Sequence, residues 1–399
     1  MKKNIQFLLF LILLFPTMLF SQNDKKVLMI GIDGCRPDAL QIANTPNIDE
    51  LIANGIFAPD ALNDDITVSG PGWSAILCGV WSDKHGVVDN YFAERNYEEY
   101  PVFFKHLKDF DENFDLAAIC HWPPINGFII QDFADFKLNV FSDEDVEIEA
   151  VNYISENKTD VMFLHFDDCD HYGHINGFSP DVPEYMAQIE KVDGHIGAIM
   201  QAIKDRPTYE NEDWLVLIST DHGGIGTSHG GDTMEEQNVF IIASGDNIPT
   251  SVIEKDSTMV GNMYFYNYDE SGRITDLVPT ALRHLCVPIA DAWQLDGVSL
   301  ISECDNVGIE NEYFSEANLQ IFPNPAHTIL NLSLKNATFH QKINLEIYGF
   351  LGQKIYEQSI LQKDTQIDVS HLQAGIYYAV LKSENKVYIM QKFIKITNR

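Results

Sequence analysis

Lys26-Val-Leu-Met-Ile-Gly-Ile-Asp33-Gly34 is an unbroken apolar run that stops on an aspartate and a glycine. A run without alternation reads as a strand covered on both faces. Residues 115–120, 160–166, 214–218 and 239–243 repeat the pattern. Helical spacing lies between the runs. The longest example covers residues 183–206, with Ile189, Val192, Ile196, Met200 and Ile203 on one face. Apolar strands alternating with helices predict an α/β fold with a mostly parallel central sheet flanked by helices.

Outward from this core the composition changes. Lys2 and Lys3 precede an apolar stretch from Phe7 to Phe20, closed by Ser21-Gln22. That is the pattern of a secretory signal peptide over 1–22. The stretch is 14 residues long and holds Pro16, whereas a membrane span needs about 20 apolar residues. No later stretch qualifies, so the expected mature protein has no stable transmembrane segment. Residues 23–303 form the expected main domain and 304–317 a polar, acidic linker. From 318 to 399 the pattern alternates, as in Ile329-Leu-Asn-Leu-Ser-Leu334 and Ile343-Asn-Leu-Glu-Ile-Tyr348. This predicts a small antiparallel β-sandwich.

The chain has 399 residues, 45% hydrophobic and 21% charged, with a net charge of −33. The composition is globular, and the charge argues against a nucleic-acid polymer as partner. The acids are concentrated in the main domain, while residues 319–399 carry 9 basic and 5 acidic residues. Six cysteines are too few for a disulfide scaffold. Cys286 and Cys304 are one candidate pair among many, and the sequence selects none.

In parallel sheets, sites gather beyond the carboxyl ends of strands. Three of the runs end in acids here. The first gives Asp33. The third runs into Asp167-Asp-Cys-Asp170-His-Tyr-Gly-His174. The fourth gives Asp221-His222-Gly-Gly224, followed by His229-Gly-Gly231. Imidazole and carboxylate together suit zinc or a similar first-row metal. Ser69, in Ser69-Gly-Pro-Gly-Trp73, precedes an apolar helix start. It reads either as a helix N-cap or as a hydroxyl held where amides and the helix dipole favour phosphate.

With these segments in order, residues 26–300 resemble the alkaline phosphatase superfamily, and within it most closely the type I phosphodiesterase and nucleotide pyrophosphatase branch. The resemblance implies two Zn2+ ions. Asp170, His174 and His229 would hold one; Asp33, Asp221, His222 and Ser69 would hold the other. It makes Ser69 the nucleophile, and makes Asn90, in His85-Gly-Val-Val-Asp-Asn90, a ligand of a phosphoryl oxygen. Amides near Gly70 would share that task. Trp122-Pro123 resembles a Trp-Pro segment of the branch. Trp73, Tyr91 and Trp122 are the candidate lining of the substrate pocket.

Two departures stand out. Gly70 occupies the place of the branch's base-stacking aromatic residue. His165-Phe-Asp-Asp-Cys-Asp170 replaces Tyr-x-x-Glu-Pro-Asp. The implied activity is hydrolysis of a small phosphate ester, most of all a diester or pyrophosphate, through a phosphoserine. A secreted phosphomonoesterase and a non-catalytic surface binding protein are the alternatives. Sulfatase chemistry needs an arginine where Trp73 stands. The tail, with Ile321-Phe-Pro-Asn-Pro325 and a basic final strand, resembles the C-terminal sorting domain of type IX secretion. This implies export through the periplasm to the cell surface or medium, with residues 318–399 as the contact for that machinery.

Overall fold

The computed structural model describes residues 24–156, 159–253, 257–260, 263–266, 271–301, 304, 318–335, 343–349, 354–360, 364–383 and 386–396. The expected signal peptide and most of the expected linker lie outside these residues. The chain divides into two compact units, the first ending at Cys304 and the second starting at Asp305.

The first unit is built on one eight-stranded sheet. Its strands are β1 (Asp24–Ile32), β2 (Gly55–Leu62), β3 (Leu116–Cys120), β4 (Phe136–Asn139), β5 (Val161–Phe166), β6 (Glu212–Ser219), β7 (Asn238–Ser244) and β8 (Ser251–Val252). They lie in the order β4-β3-β5-β1-β6-β7-β2-β8. Every pairing from β4 to β6 is parallel. The run at 239–243 departs from the rest, because β7 pairs antiparallel with both β6 and β2.

Successive residues of a strand face opposite sides, so the continuous apolar runs feed two cores. Val27, Met29, Phe163, Leu215 and Leu217 join one, which also holds Trp73. Leu28, Ile30, Met162, Leu164, Val216 and Ile218 join the other. The long helix Pro183–Lys204 buries Ile189, Val192, Ile196, Ile199 and Ile203 against the second. Its Asp193 accepts the Ile48 N–H at 2.7 Å and so holds the start of the helix Pro46–Ala53. Buried apolar side chains of this size contribute about 1.5–3 kcal/mol each.

A strap at the end of the unit packs on the helix Ser69–Cys78. Asp296 N–H donates to the Gly79 carbonyl, just past that helix, and an Asp296 carboxylate oxygen accepts from Trp81 N–H, both at 2.9 Å. Val298 N–H donates to Asp276, and Trp293 stacks on His106 at 3.9 Å. A Cys286–Cys304 disulfide closes the strap. Cys35, Cys78, Cys120 and Cys169 are free and buried.

Among the described residues, the strands of the second unit pair antiparallel in two sheets. One sheet pairs Asn318–Phe322, Ile329–Lys335 and Asp364–Asp368; the other pairs Lys354–Ile360, Ile343–Gly349, Gly375–Ser383 and Lys386–Lys395. Leu330, Leu332 and Ile367 of the first sheet share one core with Leu345, Ile347, Leu381 and Phe393 of the second. Among the described residues, no helix is long and apolar enough to cross a membrane.

Candidate active site

Neighbouring strands β5, β1 and β6 end at the same edge. Asp33 follows β1 directly. Just beyond β5, the helix Asp168–Asn176 carries Asp170 and His174 one turn apart. Asp221 and His222 follow β6, and His229 lies on the loop after them. Glycine permits the crowding. A Cβ on Gly34, whose φ is +63°, would lie 2.9 Å from the Asp170 Cα, and one on Gly72 would lie 2.8 Å from the Asp221 Cβ.

The six groups converge. His222 Nε2 lies 3.3 Å from Asp221 Oδ2 and 3.6 Å from Asp33 Oδ1. Asp170 lies 3.4 Å from His174 Nε2 and 3.6 Å from His229 Nε2. The ring nitrogens fix the tautomers. Nδ1 of His222 is 2.8 Å from the Gly223 carbonyl, that of His174 is 3.0 Å from the Thr227 carbonyl, and that of His229 is 2.9 Å from the Thr67 carbonyl. Carbonyls only accept, so each Nδ1 carries a proton, and in the neutral ring Nε2 then presents a lone pair. Nε2 of His174 and Nε2 of His229 face one another at 3.1 Å.

Charge tells the same story. Burial, then the like charges of Asp221 and Asp167, pushes Asp33 well above the usual carboxylate range. Burial, then Asp170, does the same to Asp221. Burial, with Asp33 and Asp167 alongside, pushes Asp170 up to about 9. Burial, then His229, pulls His222 down, and burial pulls His229 down. The ion-pair partners of these three acids among the described residues are all histidines. Asp33 Oδ1, Asp170 Oδ1 and Asp221 Oδ2 are buried without a hydrogen-bond partner. Orphaned carboxylate oxygens facing imidazole lone pairs fit divalent cations, and the mixed N/O donor set suits zinc.

Ser69 opens the ten-residue helix Ser69–Cys78, and the cap position belongs to Val68, which makes no side-chain cap. The Ser69 hydroxyl lies 3.4 Å from His222 Nε2. It is therefore directed at the Asp33/Asp221/His222 set, which leaves the plain N-cap role unsupported. Asn90 Oδ1 accepts the Gly70 N–H at 2.7 Å. The expected Gly70 amide is thus already engaged, and the Asn90 side-chain NH2 is the donor left over. Gly70 makes this contact sterically possible, since a Cβ there would lie 2.6 Å from the Asp89 carbonyl and 2.9 Å from Asn90 Oδ1. Gly70→Ala is therefore expected to displace Asn90 and lower kcat/KM on the order of 10²-fold. Steady-state kinetics beside a thermal melt would check this; loss of fold instead of rate would contradict it.

The three aromatic candidates separate. Trp73 is fully buried, which corrects its assignment to the pocket lining. Its indole fills the gap above Gly31, where a Cβ would meet the ring at 2.2 Å. Its N–H donates to Asp33 Oδ2 at 2.8 Å. Tyr91 is 83% exposed beside Asn90. Trp122 is half-buried, its ring 6.1 Å from that of Phe92.

The roles of two further groups escaped sequence reasoning. His165, fully buried on β5, places Nε2 3.0 Å from Asp33 Oδ2; burial, then His121, pulls its pKa down to about 3, so the ring is neutral. Asp143 accepts the Asp167 and Asp168 N–H groups at 2.8 and 3.1 Å, and His121 Nδ1 lies 2.9 Å away. It fixes the start of the Asp170 helix. A cavity of about 550 Å³ lined by Asn47, Tyr209 and Trp214, among others, contains none of the site residues.

Known proteins bear on this geometry. Human bis(5'-adenosyl)-triphosphatase ENPP4 is 26% identical over 226 residues, covering 51% of this chain and 48% of that protein. Human ectonucleotide pyrophosphatase/phosphodiesterase family member 5 is 23% identical over 240 residues, covering 55% and 49%. The chain thus spans about half the length of these curated relatives. In fold, it is similar to murine ectonucleotide pyrophosphatase/phosphodiesterase 5 in complex with AMP (TM-score 0.53, 16% identity, 67% of this chain and 96% of that one). A 2-O GAG sulfatase shares the fold as well (TM-score 0.54, 14% identity, 87% and 86%). Residues 320–396 match the secretion system C-terminal sorting domain. Residues 27–274 match the type I phosphodiesterase / nucleotide pyrophosphatase family, and the chain belongs to it.

Proposed function

We propose that this chain is an exported, two-metal phosphodiesterase/pyrophosphatase that works through a phosphoserine on Ser69. One observation carries the reading. Among the described residues, buried carboxylates whose ion-pair partners are all histidines share a strand edge with imidazole Nε2 atoms, and a serine hydroxyl lies 3.4 Å from one of those nitrogens. Asp33, Asp221, His222 and Ser69 would hold one ion; Asp170, His174 and His229 the other. When bound, such ions supply positive charge for the phosphoryl oxygens and ease ionisation of the hydroxyl.

The chain's own groups do the rest. Ser69 sits at the positive end of its helix, which favours a phosphate beside it. Its Oγ gives up its proton and forms a bond to phosphorus as the bond to the leaving oxygen breaks and that oxygen takes up a proton. Water then attacks phosphorus, the P–Oγ bond breaks, the phosphate product leaves and the Ser69 hydroxyl is restored. Asn90, held through Oδ1, offers its NH2 to a phosphoryl oxygen. The curated relatives' names include a dinucleoside triphosphatase, which supports a pyrophosphate or diester substrate. The stretch 118–126 brings no lysine or arginine for the extra charge of a monoester. Export through the type IX machinery by way of residues 318–399 completes the proposal, supported by the sorting-domain match.

The test is hydrolysis by the purified, zinc-loaded protein. kcat/KM for bis-p-nitrophenyl phosphate is expected to exceed that for p-nitrophenyl phosphate. The reverse order would make the protein a secreted phosphomonoesterase. No turnover of either, with metal bound, would favour a binding protein that keeps the fold.

A further inference from the structure

Building on the assignment of Asp33, Asp221 and His222 as one metal set, we infer that His165, together with Trp73, positions the Asp33 carboxylate so that it offers the metal one chosen oxygen. The two oxygens of Asp33 have opposite surroundings. Oδ2 lies 2.8 Å from Trp73 Nε1 and 3.0 Å from His165 Nε2. Oδ1 is buried, has no hydrogen-bond partner and lies 3.6 Å from His222 Nε2.

The polarity of both contacts is settled by chemistry. An indole N–H can only donate. The Trp122 backbone N–H points at His165 Nδ1 at 3.4 Å, which leaves the imidazole proton on Nε2, facing Asp33. Two donors on Oδ2 direct Oδ1 alone into the set, and turning the carboxylate would break both bonds. The donors are themselves fixed. His165 and Trp73 are fully buried and meet edge to face at 4.9 Å. Trp73 is wedged over Gly31 and also meets Phe163 edge to face at 6.0 Å.

His165 has a second connection. Its ring receives the Trp122 N–H, and its carbonyl receives the His121 N–H at 3.2 Å. One residue therefore sets the Trp122 loop in register with Asp33. Partners of this kind fix ligand orientation, and their removal typically costs about 10–100-fold in metal affinity.

The test titrates the chelator-stripped full chain with zinc in competition with a chromophoric chelator. His165→Phe keeps a flat ring and removes the N–H. It is expected to weaken zinc binding about 10–100-fold while the melting temperature of the stripped protein stays near wild type. His165→Gln, whose amide N–H reaches the place of Nε2–H, is expected to recover most of that loss. Equal affinity in wild type and His165→Phe would overturn the inference. A loss that His165→Gln does not recover would also overturn it, because packing rather than hydrogen bonding would then be responsible. Asp33→Asn separates the two levels. If wild type binds no zinc, or Asp33→Asn binds it as well as wild type, the metal assignment itself fails and the role of His165 falls with it.

Discussion

Ser69→Ala is expected to give a folded protein with no measurable turnover, a loss of at least about 10⁴-fold by analogy with other catalytic serines. The serine does little for the fold. Its hydroxyl is not the helix cap, and the hydrogen bond recorded for it is to His222 Nε2. Deleting one oxygen should therefore leave the melting temperature of the metal-free protein close to wild type, while zinc binds more weakly at the set that loses Ser69 as a ligand. Chemically the same oxygen is the only proposed acceptor of the phosphoryl group, so no neighbouring group can substitute without moving. Mass spectrometry of acid-quenched reactions gives a second readout. Wild type should carry a phosphoryl group on the peptide that contains Ser69, and Ser69→Ala should carry none. Activity within tenfold of wild type would mean that water attacks phosphorus directly and that Ser69 is a bystander.

Removing the metal is expected to make stability fall steeply as pH rises. Asp33, Asp170 and Asp221 all have pKa values in the metal-free fold above those of the unfolded chain, Asp170 at about 9. The folded state then binds more protons than the unfolded state across the interval between the two values. By linkage, the slope of stability against pH is negative there. The contribution is whole below about pH 4, the unfolded value, and is lost as pH climbs toward about 9. Each group loses on the order of 1.4 kcal/mol per pH unit inside its window. Bound cations would hold the carboxylates ionised and flatten the profile. Thermal melts of chelated and zinc-loaded protein at several pH values between about 5 and 9 would show the difference. A chelated protein more stable at the alkaline end would refute the uncompensated-charge account.

The strands that carry the site were legible because their residues are apolar on both faces, and so were the acids at their ends. Strand direction was not legible for 239–243, since a run covered on both faces looks alike whichever way it lies. Strand β2 was hidden by Pro59 and Asp60, which interrupt its apolar pattern. The structure accommodates them at a shift in register between Ala58 and Ala61. Trp73 reads as a pocket aromatic because Gly70 leaves the place of the branch's stacking residue empty, yet the missing side chain of Gly31 gives the ring room to lie buried. His165 left a trace in the sequence as a lone polar residue in the apolar run 160–166 after its opening aspartate. Alternation places it with Phe163, on the Trp73 side of the sheet. The backbone carbonyls that orient His174, His222 and His229 belong to Thr227, Gly223 and Thr67. Backbone partners of this kind leave no mark in side-chain identity.

The Cys286–Cys304 bridge has a consequence for maturation. Cys304 is the last residue of the first unit, and Asp305 opens the second. A protease that cuts anywhere within 305–317 would leave both cysteines with the first unit. The fresh carboxyl terminus would be tied off from the moment it forms, so the strap against Gly79, Trp81 and His106 could not peel away from the cut end. Closing an 18-residue separation also restricts the unfolded chain, worth about 3 kcal/mol for a loop near this size. A delivery tag joined just beyond such a knot can be discarded without unravelling what it delivered.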